Sequence, residues 1–276
     1  MWLSLVERSV RDREVVGSNP AIPTIRTQTA GRTSRPAVRL SRRMMRDMLE
    51  SLLHWLGYGL CHQLPERSFF GGAVQVPVCA RDTGIYVGFI VSIIVIWLLH
   101  RPERPREFPG LAAFSAIGLM IVAMALDGFS SYAGLRTTTN DLRLITGILS
   151  GFAMAALVVP MLNDELWIRS DKGRVLSPGR RLALWLAAVP VVFVLVRWVA
   201  PLLGPLYPIL VAAAIFATLI AVNLVMVSLF PPFERKASTV LDAWPAILIA
   251  LVMAFAEVAA SAAFRVGVES LAGRVG

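Results

Sequence analysis

The chain has 276 residues, of which 56% are hydrophobic and only 16% charged, with a mean hydropathy of +0.66 and a formal net charge of +9. This is too apolar for an ordinary soluble domain, and it leaves no polar stretch large enough to build a separate core. Charge-free runs of about twenty residues indicate membrane-crossing helices, and the ten-residue alternation of a membrane β-barrel is absent.

Residues 1–43 differ from the rest: nine Arg against three acidic residues give this tail a net +6 of the chain's +9. Such a tail reads as a disordered basic extension, and its charge would also suit a membrane surface or nucleic acid. Gly17-Ser18-Asn19-Pro20 is also what the T arm of a transfer-RNA gene encodes when it is read as protein. We therefore expect residues 1–43 to be a spurious or disordered extension, with Met44, Met45 or Met48 beginning the functional chain. On that expectation nucleic acid is not a partner, and 44–276 is a single membrane domain.

Next comes "MLESLLHWLGYGL", apolar at helical spacing through Leu49, Leu52, Leu53 and Leu56. At about 13 residues it is short for a span, so a short interfacial helix lying on the membrane is expected. His54 reads as surface-exposed.

The segment 60–89 holds both cysteines, His62, Arg67 and Arg81, and it runs directly into the first apolar run. Cys61, His62, Cys79 and Asp82 are suitable ligand types for zinc or a similar divalent transition metal. Their spacing is not diagnostic, and a Cys61–Cys79 disulfide closing the loop is the alternative, worth about 3 kcal/mol in the chain-entropy view.

Apolar runs then follow at 83–100, 108–126, 144–163, 182–203, 198–233 and 243–264, which gives six spans, with Pro190, Pro201, Pro205 and Pro208 kinking or ending helices around the turn between the fourth and fifth. Gly84 and Gly88, and again Gly147 and Gly151, stand four apart, which allows neighbouring helices to approach closely. The expected fold is all-α: a polytopic transmembrane bundle of about six spans, because hydrocarbon tolerates only backbones that satisfy their own hydrogen bonds.

Six crossings sort the loops into two faces. Face B carries 101–106, 169–181 and 235–236, with ten basic residues, against seven arginines on face A once the tail is set aside. Face B is then the cytoplasmic one by the positive-inside rule. Face A receives the cysteine segment, the "DGFSSYAGLRTTTNDLR" loop, the "PLLGP" turn and the C-terminus. Three ionisable residues within or at the ends of spans, Asp127, Arg197 and Glu257, converge toward face A, and an ion pair of Arg197 with Asp127 or Glu257 is the specific expectation. The alternative is that Arg197 reaches to the interface beside Trp198 and that Glu257 is a structural hydrogen-bonding residue.

Arg67, Arg81, Arg136 and Arg143 on one face point to an anionic ligand such as a phosphate or carboxylate headgroup. Tyr86, Asp127, Asn140, Arg197 and Glu257 complete the candidate ligand-binding set. There is no serine nucleophile motif, phosphate loop, dinucleotide fingerprint or HExxH, so enzymic activity has no direct support.

Cys61-His62-Gln63, Pro65-Glu66-Arg67-Ser68-Phe69, Cys79-Ala80-Arg81, Thr83-Gly84-Ile85-Tyr86-x-Gly88, Asp127-Gly128 and Asn140-x-Leu142-Arg143-x-x-Thr146-Gly147 together resemble the signature of the membrane-protein family called domain of unknown function 2085. The resemblance covers roughly residues 55–155, leaving the C-terminal spans 182–264 outside it. It implies a second cysteine where Asp82 stands here, so this chain departs from a CxRC pattern and keeps at best a mixed Cys, His and Asp site. The functional expectation is a multi-pass protein of the cell inner (plasma) membrane that binds or transports a small anionic solute or lipid headgroup. The alternatives are a metal-binding or redox membrane enzyme using Cys61, His62 and Cys79, or a structural assembly partner.

Overall fold

A computed structural model of the chain describes the backbone of residues 35–275 and the side chains of 44–271. The expectations for the tail before residue 35 lie outside the described residues.

Among the described residues, six helices are long and apolar enough to cross a membrane. They are α2 (Ala80–His100), α3 (Leu111–Tyr132), α4 (Asn140–Glu165), α5 (Gly179–Val194) with its continuation to Leu203, α6 (Leu206–Ser228) and α7 (Trp244–Val275). The chain is therefore an all-α polytopic bundle, which sits in a lipid bilayer because its outer faces are hydrocarbon-like. Leu119, Leu126, Val252, Phe255 and Phe264 are among many large apolar side chains exposed on α3 and α7.

The helix that precedes the spans, α1 (Arg35–Tyr58), is 24 residues long, not the 13 expected. Pro36 sits in its first turn, where a missing N–H costs nothing, and no Gly or Pro interrupts it again before Gly57. Leu53 packs with Val74 and Ala212, while Met44, Met45, Met48, Leu52 and Trp55 form an exposed apolar stripe. One face thus meets protein and another is left for lipid.

The tightest packing is between α2 and α4. A Cβ on Gly151 would lie 2.2 Å from the Ile85 carbonyl oxygen, one on Gly147 2.1 Å from that of Arg81, and one on Gly84 2.5 Å from that of Leu144. Backbones this close admit only hydrogen at these positions, so the paired glycines are the reason the helices touch. Phe89, Leu144, Ile148 and Phe152 fill the space beside the seam and are fully buried. Trp185 reaches in from α5 and donates from Nε1 to Ser92 Oγ at 2.8 Å, and Ser92 in turn donates to the Phe152 carbonyl. α7 joins through α6, with Ala246, Ala250 and Ala254 buried at four-residue intervals along it.

Each end of the bundle is knitted separately. At face B, β3 (Pro105–Glu107) pairs in parallel with β4 (Asp171–Arg174). The buried His100 accepts the Leu176 N–H at 3.0 Å, and Asp164 accepts from Arg106 and Arg235 at 3.3 and 3.1 Å. At face A a small antiparallel hairpin, β1 (Phe70–Gly71) and β2 (Val74–Gln75), turns at Gly72 with φ +63°. Its Gly71 abuts the Gly204 carbonyl of the α5–α6 turn, Asn140 donates to the Glu66 carbonyl at 3.0 Å, and Ser261 of α7 donates to the Gly59 carbonyl at 2.7 Å. The loop before α2 thus meets the start of α4, the α5–α6 turn and the C-terminal part of α7, as an even number of crossings between them requires.

Candidate functional site

The site is assembled at the N-terminus of α2. Gln63, held at φ 54°, donates from one amide nitrogen to the His54 and Pro77 carbonyls, both at 2.9 Å, and its own carbonyl accepts from Gln75 at 2.9 Å. This clamps the Cys61-His62-Gln63 turn onto the strand entering α2. Gly57 makes the approach feasible, since a Cβ there would lie 1.7 Å from the Pro77 carbonyl oxygen. Arg265 of α7 fixes the same turn from the other side by donating to the Tyr58 and Cys61 carbonyls at 2.6 and 2.8 Å.

Cys79 consequently caps α2 beside Cys61. Its backbone N–H points at Cys61 Sγ, 3.3 Å away, and its thiol donates to Asp82 Oδ2, also at 3.3 Å. The two sulfurs and an Asp82 oxygen all lie within 4.8 Å of one another, and both cysteines are free thiols. Hydrogen-bonding contact with the Cys79 side chain pulls Cys61 down to about 7 against the opposing effect of burial. The same contact, with burial, pushes Cys79 up. Cys61 is therefore the thiol that ionises first, at the positive end of a helix.

Beside the thiols opens a cavity of about 230 Å³ whose walls include Cys61, Asp82, Arg67, Arg81, Arg143 and Tyr132. His62 is exposed at its rim and stands outside the close Cys61, Cys79 and Asp82 group. Tyr86 follows Asp82 by one turn of α2. Arg143, from the first turn of α4, is only 7% exposed, and among the described residues its side chain has no hydrogen-bond partner.

Behind the cavity lies a carboxylate that the sequence placed on the correct face but with the wrong partner. Asp127, 2% exposed, accepts from Arg81 at 2.5 Å, Arg136 at 2.7 Å, Thr138 at 3.2 Å and Thr146 at 3.3 Å. Its oxygens are fully used, so the expected pairing with Arg197 does not form. Arg197 pairs with Asp141 at 2.5 Å and faces the rings of Phe69 and Trp198. Asp141 stands in the first turn of α4, and Thr139 caps that helix by accepting the Leu142 N–H at 3.2 Å, so the carboxylate is turned toward α5. Glu257 is exposed on α7 and accepts from Asn223 of α6 at 3.1 Å, and among the described residues it contacts neither the cavity nor Arg197. Asn140 is taken up by the Glu66 carbonyl and Arg136 is shared with Ser130 at 2.7 Å, so both brace the loops.

Sequence reasoning did not single out Gln63, Thr146 or Asp141. The first two stood within the quoted signature, where their side-chain chemistry was the available signal. Asp141 carried none that distinguished it from a solvated charge.

The fold and site together define a polytopic helical membrane protein with a thiol, carboxylate and guanidinium cluster at one end of its bundle. The chain belongs to the family described as predicted membrane protein (DUF2085), whose model matches residues 61–157. An uncharacterised protein of Methanocaldococcus jannaschii is 33% identical over 111 residues, which are 39% of this chain and 67% of that one. An uncharacterised protein of Methanothermobacter thermautotrophicus is 33% identical over 98 residues, 36% of this chain and 83% of the relative. No solved structure matches. The family region contains the cluster and helices α2, α3 and most of α4, whereas α5 to α7 lie beyond it.

Proposed function

We propose that residues 44–276 act as one multi-pass unit of the cell inner (plasma) membrane that binds a small oxyanion, a phosphate or carboxylate group, in the face-A cavity. Arg143 carries this reading. Its side chain is largely buried, its Nε is buried without a partner, and its terminal nitrogens have no acceptor among the described residues, so a bound anion in the cavity supplies the missing partner. Arg67 and Arg81 line the same cavity, so such an anion meets three guanidinium groups, whose forked donors suit two oxygens at once. Arg81 is itself oriented by Asp127, and one of its own nitrogens, Nε, is buried without a partner.

The oxyanion has two sources, a free solute and a lipid headgroup, and two titrations separate them. Protein in nanodiscs of zwitterionic lipid is titrated with inorganic phosphate. In a parallel series, phosphatidylglycerol replaces the zwitterionic lipid stepwise. Saturable binding in one arm, weakened by about tenfold or more in Arg143→Gln, is the expected result, since a charged hydrogen-bonded pair is worth roughly 1.5–3 kcal/mol. Binding in neither arm, or binding indifferent to Arg143→Gln, overturns the reading.

A further inference from the structure

We infer that Cys61, Cys79 and Asp82 form a three-ligand site for a soft divalent cation such as zinc, whose open fourth position faces the arginine-lined cavity, so that the oxyanion is bound by the metal and the guanidinium groups together. The inference rests on the anion-binding reading above and adds to it a metal and a mode of attachment.

Three observations lead there. The first is spacing. Around a tetrahedral zinc, with Zn–S of about 2.3 Å and Zn–O of about 2.0 Å, two ligand atoms stand roughly 3.5–3.8 Å apart. Cys79 Sγ and Asp82 Oδ2 are at 3.3 Å, and all three ligand atoms fall within 4.8 Å, so closure onto an ion takes movements of side-chain rotamer size. The second is the support of the ligands. Cys61 is fixed by the Gln63 clamp and by Arg265 on its carbonyl, and Cys79 and Asp82 belong to the same first turn of α2. Ligands held this way by outer partners lose little freedom on binding.

The third is number and direction. His62 stands outside the group, which leaves three protein ligands, the count of sites that keep a position for an exchangeable ligand; closed structural sites have four. Cys61, Cys79 and Asp82 all border the cavity that Arg67, Arg81 and Arg143 line. Two thiolates and a carboxylate leave one negative charge on a divalent ion. Arg67 and Arg143, neither of which has a carboxylate partner among the described residues, exceed that charge and keep the cavity attractive to an anion. Thiolate ligands select zinc-like ions over magnesium or calcium.

The test uses the full chain in detergent under a non-thiol reductant. Elemental analysis should find close to one zinc per chain, lost when Cys61→Ser and Cys79→Ser are combined. Cobalt(II) loaded into the wild type should give thiolate-to-metal charge transfer and the intense visible bands of a tetrahedral site. Inorganic phosphate should then shift those bands in the wild type and leave them unmoved in Arg143→Gln. Wild-type protein that takes up no stoichiometric metal, or whose cobalt spectrum lacks thiolate charge transfer, overturns the metal site even if the double variant fails to fold. Cobalt bands that phosphate does not move overturn the open position. In either of these outcomes, phosphate binding that persists in the metal-free protein leaves the anion reading standing, so the two failures are distinguishable.

Discussion

Replacing Asp127 with asparagine keeps the shape of the side chain and removes the charge that two arginines share. The substituted amide offers one acceptor oxygen where the carboxylate had two, and its nitrogen would direct N–H groups at a guanidinium. Breaking a buried ion pair from one side costs about 3–5 kcal/mol. Arg81 and Arg136 are 22% and 41% exposed at the side chain, and solvent relieves part of that penalty, so the lower figure, about 3 kcal/mol, applies. At roughly 2–4 °C per kcal/mol for a chain of this size, Asp127→Asn should lower the Tm of the detergent-solubilised protein by about 6–12 °C. Asp141→Asn is the matched control. It removes an equally short ion pair, to Arg197 at 2.5 Å, but both partners are largely solvated at 36% and 51% exposure, so it should cost no more than about 1 kcal/mol. Thermal unfolding followed by tryptophan fluorescence compares the two. If Asp127→Asn melts within about 2 °C of the wild type, or if the two variants melt together, the burial argument is wrong.

Three further outcomes follow from the geometry. Gly151→Ala drives a methyl into the Ile85 carbonyl and should destabilise by about 1–3 kcal/mol, whereas Gly118→Ala, with nothing within 4 Å of the new methyl, should lie within about 0.5 kcal/mol of wild type in the same unfolding assay. In reduced, metal-free protein, Cys61 should begin to react with iodoacetamide as the pH rises through about 7, well below an ordinary thiol; Cys79→Ala removes the hydrogen bond that favours the thiolate and should move that onset upward, which rate measurements against pH will show. Trp185→Phe deletes the Nε1 donor to Ser92 while keeping most of the ring, and should cost about 1–2 kcal/mol in denaturant titration, with Ser92→Ala in the same background adding little.

The spans were legible because hydrocarbon imposes a length and forbids charge, and both are linear properties of a sequence. The run 83–100 became Ala80–His100, and 243–264 lies within α7 apart from its first residue. The glycine seam was legible for a related reason: a spacing of four places residues on one helix face whatever the helix packs against. The face shared by the cysteines and Asp127 followed from counting crossings. The partners did not, because which groups meet depends on how each helix is rotated about its own axis. Asp127 and Arg197 do end at the same face, yet Asp127 turns to Arg81 and Arg136 while Arg197 turns to Asp141. The early start of α1 escaped notice because its first residues carry no apolar stripe, and helix propensity alone is a weak signal.

The seam also explains why the polar cluster sits at the end of the bundle. Gly147 lies against the carbonyl of Arg81, and Arg143 is one turn before Gly147 on the same helix. Where α2 and α4 touch backbone to backbone there is no room for a guanidinium, so both arginines must diverge at the last turn of contact, just where the Cys79 cap begins α2. Asp127 takes Arg81 to the α3 side and leaves Arg143 beside the thiols. The close packing that makes the pair of helices rigid therefore also leaves a cationic cavity open at its margin, and a variant that widens the seam at Gly147 should loosen both together.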